Sequence, residues 1–297
     1  MAWNTGFNEN LFYTLNGSRN QRVSVSTMTF PGGEVGVNIN TGSTDWKQGY
    51  LSNVTRIDLV AKIQNSDQLM AMFLATDALR RVYPLAQIDL LIPYFPYARQ
   101  DRVCNAGEAL SVKVIATLIN AQNYATVTVL DPHSAVVVGC LDRVFVTDQF
   151  DAFGRIKQDW SNWILVAPDM GAAKKTEDFA KRVGAANVLQ CNKKRNLADG
   201  KILGMELLNP EILTVGCKLL VLDDICDGGR TFIEVSNAIE LASPTSEHNY
   251  LDYTIELAVT HGIFSKGVGV LTDHFDRVYT TDSLPQTEHP KLTVMKY

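Results

Sequence analysis

The sequence predicts an α/β fold in two halves, and three observations carry that prediction. Short apolar runs that close on an acid, a proline or a glycine recur along the chain, as in Leu219 to Leu222 before Asp223, the form taken by strands buried on both faces of a parallel sheet. Stretches with apolar residues three and four apart lie between those runs, which is helical spacing. The alternation then restarts beyond residues 146–152, so two α/β halves fit better than one large sheet. The division falls at 1–148 and 149–297.

In chain order, Arg22 to Ser26 and Val35 to Asn40 alternate like half-exposed strands, with Phe30-Pro-Gly-Gly-Glu34 as the turn between them. Residues 42–52 are polar and read as a loop. Ile57 to Ala61 is a strand. Asn65 is placed to cap a helix that carries Leu69, Met72, Phe73, Thr76 and Leu79. Ile88 to Ile92 is the next strand, stopped by Pro93, and a helix covers Leu110 to Ala121. Ala125 to Asp131 returns to the sheet. In the second half Trp163 to Asp169 is a strand, followed by a helix through Arg182. Val188 to Gln190 is a short strand, and residues 192–216 form a hairpin or a long loop. Lys218 to Phe232 reads as buried strand, sharp turn and helix start, with Asp223 and Asp224 where the strand leaves the sheet and the helix beginning near Thr231. Tyr253 to His261 and Arg277 to Thr281 complete the pattern.

With 297 residues, 46% hydrophobic and 20% charged, the chain has ample core for two domains. A formal charge of −5 argues against a general nucleic-acid or anionic-membrane surface. Five cysteines without a CxxC pair suit a reducing, cytoplasmic setting and no zinc site. No signal pattern opens the chain and no apolar run approaches the ~18 residues that span a bilayer.

Four stretches have the chemistry of a site. Asp223 and Asp224 stand at the carboxyl end of a strand, where open α/β sheets bind ligands. The Asp227-Gly-Gly-Arg-Thr231 turn then offers glycines and a helix start to an anion. Ionised acids accept hydrogen bonds that sugar hydroxyls donate, so acids beside an anion cradle suit a phosphorylated sugar; a plain capped strand-to-helix turn is the competing reading. Tyr94 to Arg102 sets aromatic faces beside Arg99 and Arg102, a base and polyphosphate combination or a solvated loop. His133 and Asp169 share the expected ligand edge with the paired acids, though in different halves. The carboxylates suit Mg²⁺, and an imidazole is a less usual ligand for it. Lys193-Lys-Arg195 reads as a solvated charge run or as a cationic flap that closes over a phosphoryl-transfer transition state.

Several of these stretches, in this order, resemble the ribose-phosphate pyrophosphokinase family from about Phe30 to about Pro285. Phe30-Pro-Gly-Gly-Glu34 resembles the segment that reaches a neighbouring subunit's ATP, and Pro93 to Asp101 the ATP-binding signature. Ala109 to Lys113 and Thr260 to Ser265 match two further signatures. The resemblance implies two type I phosphoribosyltransferase-like domains, each a mainly parallel sheet flanked by helices. It implies ATP contacts at Phe30, Glu34, Arg99, Gln100 and Asp101. His133 and Asp169 would serve the metal, with Lys193, Arg195 and His133 catalytic. Asp223, Asp224, Asp227, Gly228, Gly229, Arg230 and Thr231 would hold the ribose phosphate. The implied reaction moves the β,γ-diphosphoryl group of Mg-ATP to the anomeric hydroxyl of ribose 5-phosphate and releases AMP. Homo-oligomers, dimers or hexamers, are implied as well, with no nucleic acid or membrane as partner.

Some positions depart from the family pattern. Its phosphate loop usually reads Asp-Thr-small-Gly-Thr, so Gly228 stands for a threonine and Arg230 for a glycine. Pro132 stands for a leucine and Gly32 for a polar residue. The chain stops at Tyr297, short of the family's usual last helix, which puts the standard hexamer and its ADP and phosphate control in doubt. These features resemble a short, divergent branch found in phage genomes and near pyridine-nucleotide salvage genes, part of which uses ADP-ribose as acceptor. Arg230 makes ADP-ribose the alternative acceptor. A non-catalytic regulator on the same fold is the other alternative.

Overall fold

The computed structural model describes residues 8–16, 22–39, 54–185, 187–195, 202–242 and 253–297. The loop expected at 42–52 lies outside them. The chain divides into two compact units, 1–147 and 148–297.

In the first unit β1 (Leu11–Leu15), β2 (Val23–Thr29), β3 (Val35–Ile39) and β4 (Arg56–Ala61) lead into helix α1 (Ser66–Val82). β5 (Gln87–Leu91), α2 (Ser111–Asn120), β6 (Val127–Leu130), α3 (Ala135–Cys140) and β7 (Val144–Thr147) complete it. The strands lie in the order β3-β2-β1-β4-β5-β6-β7. β4 to β7 are parallel, whereas β1 runs antiparallel to both β2 and β4. Chain length explains the β1–β2 reversal. A parallel crossover needs about a dozen residues or more, and only residues 16–22 join β1 to β2. The Asn65 side chain accepts the Gln68 N–H at 3.0 Å and caps α1 as its sequence predicts. Leu69, Met72, Thr76 and Leu79 are then buried on the face that meets the sheet.

The second unit opens with α4 (Gln149–Phe153), β8 (Trp163–Ala167), α5 (Met170–Val183), β9 (Asn187–Arg195) and β10 (Ile202–Leu207). It continues through β11 (Lys218–Cys226), α6 (Arg230–Ala242), β12 (Thr254–Gly262), α7 (Gly269–Thr272), β13 (Arg277–Thr281) and β14 (Leu292–Met295). Its order is β10-β9-β8-β11-β12-β13-β14, parallel throughout except for β10. Counted from its own first strand, this is the order of the first unit. Both faces of the sheet are covered. Leu219 and Val221 of β11 pack with Phe232 and Val235 of α6, and Leu220 and Leu222 pack with Phe179 of α5.

One expectation changes here, and one choice between alternatives is decided. Asp223 and Asp224 do not lie beyond the strand, because β11 continues to Cys226 alongside β12. The pairing of β11 with β8 has already ended at Val221, opposite Val166, so the acids stand in a strand with one neighbour. Of the two alternatives for residues 192–216 the structure takes the hairpin: Lys193 to Arg195 lie in β9, paired with Met205, Gly204 and Ile202 of β10. The hairpin supplies the backbone partners that a loop would have left to water.

Candidate functional site

Because β4 to β6 of the first unit are parallel, their carboxyl ends gather residues 62–66, 92–102 and 131–134 on one edge of the sheet. A cleft of about 530 Å³ opens there, lined by Ile63, Asn65 and Ser66 after β4 and by Tyr94, Tyr97, Arg99 and Gln100 after β5, among others. Tyr97 holds a left-handed backbone, φ 61°, unusual for a bulky residue and a sign of local constraint. Its hydroxyl lies 3.1 Å from that of Ser66 and ties the two walls together. Gln100 Oε1 accepts from the Ser111 hydroxyl at 2.5 Å, and Asn65 Oδ1 is committed to its cap. With each oxygen already engaged, what each carboxamide has left for a ligand is its N–H donors, which suit ring nitrogens and phosphate oxygens.

Asp101 does not line this cleft. Its side chain is 7% exposed and accepts from Arg102 Nε at 3.1 Å. Burial alone would raise this carboxyl, but Ser134, Arg102 and His133 outweigh burial and hold it below the usual carboxylate range. The structure thus brings Asp101 and His133 together. Phe30 and Glu34 sit elsewhere on the same edge, at the tip of the β2–β3 hairpin. There the Phe30 N–H donates to the Glu34 carbonyl at 2.8 Å and Gly33 takes a φ of 94°. Phe30 is 42% exposed, and neither residue lines the cleft.

In the second unit the carboxyl ends of β8 and β11 bring the acids together. Asp169 Oδ1 accepts the N–H groups of Gly171 and Ala172 at 3.0 and 3.2 Å and so starts α5. Asp169 Oδ2 takes Lys193 Nζ at 2.9 Å. Burial, then the neighbouring Asp224, pushes the Asp223 carboxyl well above the usual range, and Asp169 adds to the effect. Buried Cys191 is raised to about 12 by burial and by Asp169. The Gly228-Gly229 turn follows, with Gly229 at φ 80°, and Arg230 opens α6 with its Nε 2.8 Å from Glu234 Oε1. A side chain on Gly229 would be strained and would meet Leu271 at 2.9 Å. The backbone of Arg195 is placed in β9.

Sequence reasoning missed Lys175 and Gln149. Lys175 Nζ lies 3.8 Å from Asp224 Oδ2, and Gln149 Nε2 donates to the Asp223 carbonyl at 2.7 Å. Lys175 was legible. It is a cation three residues after Ala172 and four before Phe179, both on the buried stripe of α5. Gln149 gave no such signal.

Among the described residues no three metal-ligating side chains cluster. Mg²⁺ needs few protein ligands, since it keeps waters and takes substrate phosphates. Asp169 fits that donor set, and Lys193 is the cation already on its second oxygen. Among the described residues no helix is long and apolar enough to cross a membrane.

The N-terminal domain model of ribose phosphate pyrophosphokinase matches residues 15–122. A ribose-phosphate pyrophosphokinase of Hyphomonas neptunium is 30% identical over 235 residues, 75% of this chain and 70% of that protein. One of Cereibacter sphaeroides is 31% identical over 206 residues, 67% of this chain and 57% of that protein. The phosphoribosylpyrophosphate synthetase structure from Mycobacterium smegmatis superposes with a TM-score of 0.73 at 22% identity, covering 92% of this chain and 86% of that one. By fold and by this extended similarity, the chain belongs to the ribose-phosphate pyrophosphokinase family of transferases.

Proposed function

We propose that the protein transfers the β,γ-diphosphoryl group of Mg-ATP to the anomeric hydroxyl of ribose 5-phosphate, forming phosphoribosyl pyrophosphate and AMP. The observation that carries this reading is the acid pair Asp223 and Asp224 directly ahead of the Gly228-Gly229 turn and the start of α6. Asp224 as a carboxylate accepts ribose hydroxyls, Asp223 holding its proton can both accept and donate, and free N–H groups at a helix start take the 5′-phosphate. Asp227 and Thr231 border that cradle. The amide donors of Gln100 and Asn65, with Arg99, suit the base and phosphates of ATP; Phe30 and Glu34 would reach ATP from a neighbouring subunit of a homo-oligomer. Asp101 acts through His133 rather than on ATP directly. Mg²⁺ held by Asp169 would neutralise phosphate charge, and His133 of the first unit would serve the metal–ATP complex on the ATP side. Lys193 would leave Asp169 to the metal and, with Arg195, stabilise charge on the transferring phosphorus oxygens. The cytoplasm is the setting that supplies these substrates.

ADP-ribose is the second reading, favoured by Arg230. Its side chain is 78% exposed at the mouth of the cradle, where an acceptor extended past the 5′ position would pass. The test is a competition. The purified protein receives Mg-ATP with equal ribose 5-phosphate and ADP-ribose, and the products are identified by mass. Diphosphorylated ribose 5-phosphate is expected. Diphosphorylated ADP-ribose in its place would establish the second reading. No AMP from either acceptor would overturn both and leave a non-catalytic role. Arg230→Gly is expected to shift the acceptor ratio without moving the melting temperature; an unchanged ratio removes Arg230 from acceptor choice.

A further inference from the structure

Arg230, the cation that the sequence sets in the cradle, is turned back along its own helix onto Glu234. A second cation reaches the same place from the loop after β12. A β-carbon placed on Gly228 would meet Cε, Cδ and Cγ of Lys266 at 3.5, 3.6 and 3.8 Å. The lysine stem therefore lies along the bare backbone of the turn, and its ammonium is one bond beyond the nearest of these carbons. Among the described residues no carboxylate pairs with Lys266. A glycine at 228 leaves this space to the lysine; a branched side chain there would compete for it.

The position of Lys266 is built into the fold. The N–H groups of Ile263 and Phe264 donate to the Cys226 carbonyl at 2.8 and 3.1 Å, and that of Ser265 to the Asp227 carbonyl at 3.2 Å. The loop is thus bonded to the backbone of the cradle itself. The Gly267 N–H donates to the Phe264 carbonyl at 2.7 Å and closes a tight turn with Lys266 near its tip. Gly267 has φ 77°, which glycine takes without strain. Phe264 has φ 45°, which a phenylalanine does not take freely. Its ring is lodged over Gly262, where a β-carbon would come within 2.2 Å of it. These contacts hold the turn in a shape its own residues would not choose.

We propose that Lys266 is a binding and specificity-determining residue of the acceptor site, where its ammonium takes the phosphate charge that the backbone N–H groups of the 227–231 turn leave uncompensated. This rests on the reading of that turn as the acceptor's phosphate cradle. The ligand class is a pentose whose 5′ carbon carries a phosphate or a phosphate ester. Ribose without phosphate gains nothing from the lysine.

The test measures binding of ribose 5-phosphate, ADP-ribose, inorganic phosphate and ribose to the full chain by titration calorimetry without ATP, alongside Lys266→Met and Lys266→Arg. Methionine keeps an apolar stem against Gly228 and removes the charge. Lys266→Met is expected to weaken the phosphorylated ligands about tenfold or more, as loss of a charge-assisted contact does. Lys266→Arg should stay near the wild type, and the melting temperature and the KM for ATP should not move. Equal binding by Lys266→Met and wild type overturns the role of Lys266 and leaves the cradle standing. A loss that tracks a fall in melting temperature makes Lys266 structural and overturns the role as well. A wild-type protein that binds none of the phosphorylated ligands removes the cradle, and this inference with it.

Discussion

Two adjacent carboxyls at the end of one buried strand cannot both ionise without cost. Burial and Asp224 raise Asp223 well above the ordinary carboxylate value, so the folded protein holds that proton more tightly than the unfolded chain does. Stability tied to this group is complete at acid pH. It falls as pH climbs past the ordinary value of about 4 and is lost once the raised folded value is passed. Asp223→Asn should therefore melt higher than wild type at pH 8, by about 2–4 °C for each ~1 kcal/mol relieved, with the gap closing toward pH 4. Ribose 5-phosphate affinity should fall in the same variant. Thermal melts across that range check it, and a gap that widens toward acid would refute the assignment. Lys193 has the opposite character, a cation whose present partner is Asp169. Lys193→Ala and Arg195→Ala should each lower kcat by about 10²-fold or more with ATP affinity little changed, because contacts made in the transition state show in kcat. Equal losses in ATP affinity and none specific to turnover would contradict this.

At the level of elements, α1 links stability to the cleft through one residue. Asn65 caps the helix and also lines the cleft. Asn65→Ala should cost about 1 kcal/mol of stability and weaken ATP binding, whereas Asn65→Asp, which keeps the cap acceptor but not the amide donor, should restore only the stability. Denaturant unfolding and ATP titration of the two variants separate the effects; if Asn65→Asp binds ATP as the wild type does, the amide is not a contact. The helix was legible because cap and apolar stripe both lie within its own residues. β11 and the 227–231 turn were legible for the same reason. Its length was not: β11 runs past Leu222 because β12, some thirty-odd residues later, offers hydrogen bonds as far as Gly262. β9 likewise takes in Lys193 to Arg195 because β10 pairs with it. Cations in a row do not by themselves separate a hairpin from a loop; the partner strand does. Asp101 was placed with its neighbours Arg99 and Gln100, and only the approach of residues 133–134 in space turns it toward His133.

Across the whole molecule, each unit carries its own sheet, its own core and one kind of chemistry. The first gathers amides, aromatics and Arg99; the second gathers acids, a glycine turn and lysines. Hydrogen exchange should reflect that division. ATP should slow exchange in residues 94–102, and ribose 5-phosphate in 223–231 and 263–267. ATP that protects nothing in 94–102 would count against the assignment of the first unit. The strand orders match, yet β8 runs parallel to β11 and ends ahead of Asp169, while β1 runs antiparallel to β4 and meets the same edge with its beginning. The Lys62 N–H donates to the Asn10 carbonyl there. Inversion of a strand exchanges its whole set of hydrogen-bond partners and needs a different connection, so no single codon change makes or reverses it. The two halves therefore differ in evolvability: under laboratory selection for a new acceptor, improved variants should accumulate in the loops that follow β8, β11 and β12, while the first half, having no acid post after its leading strand, is closed to that path.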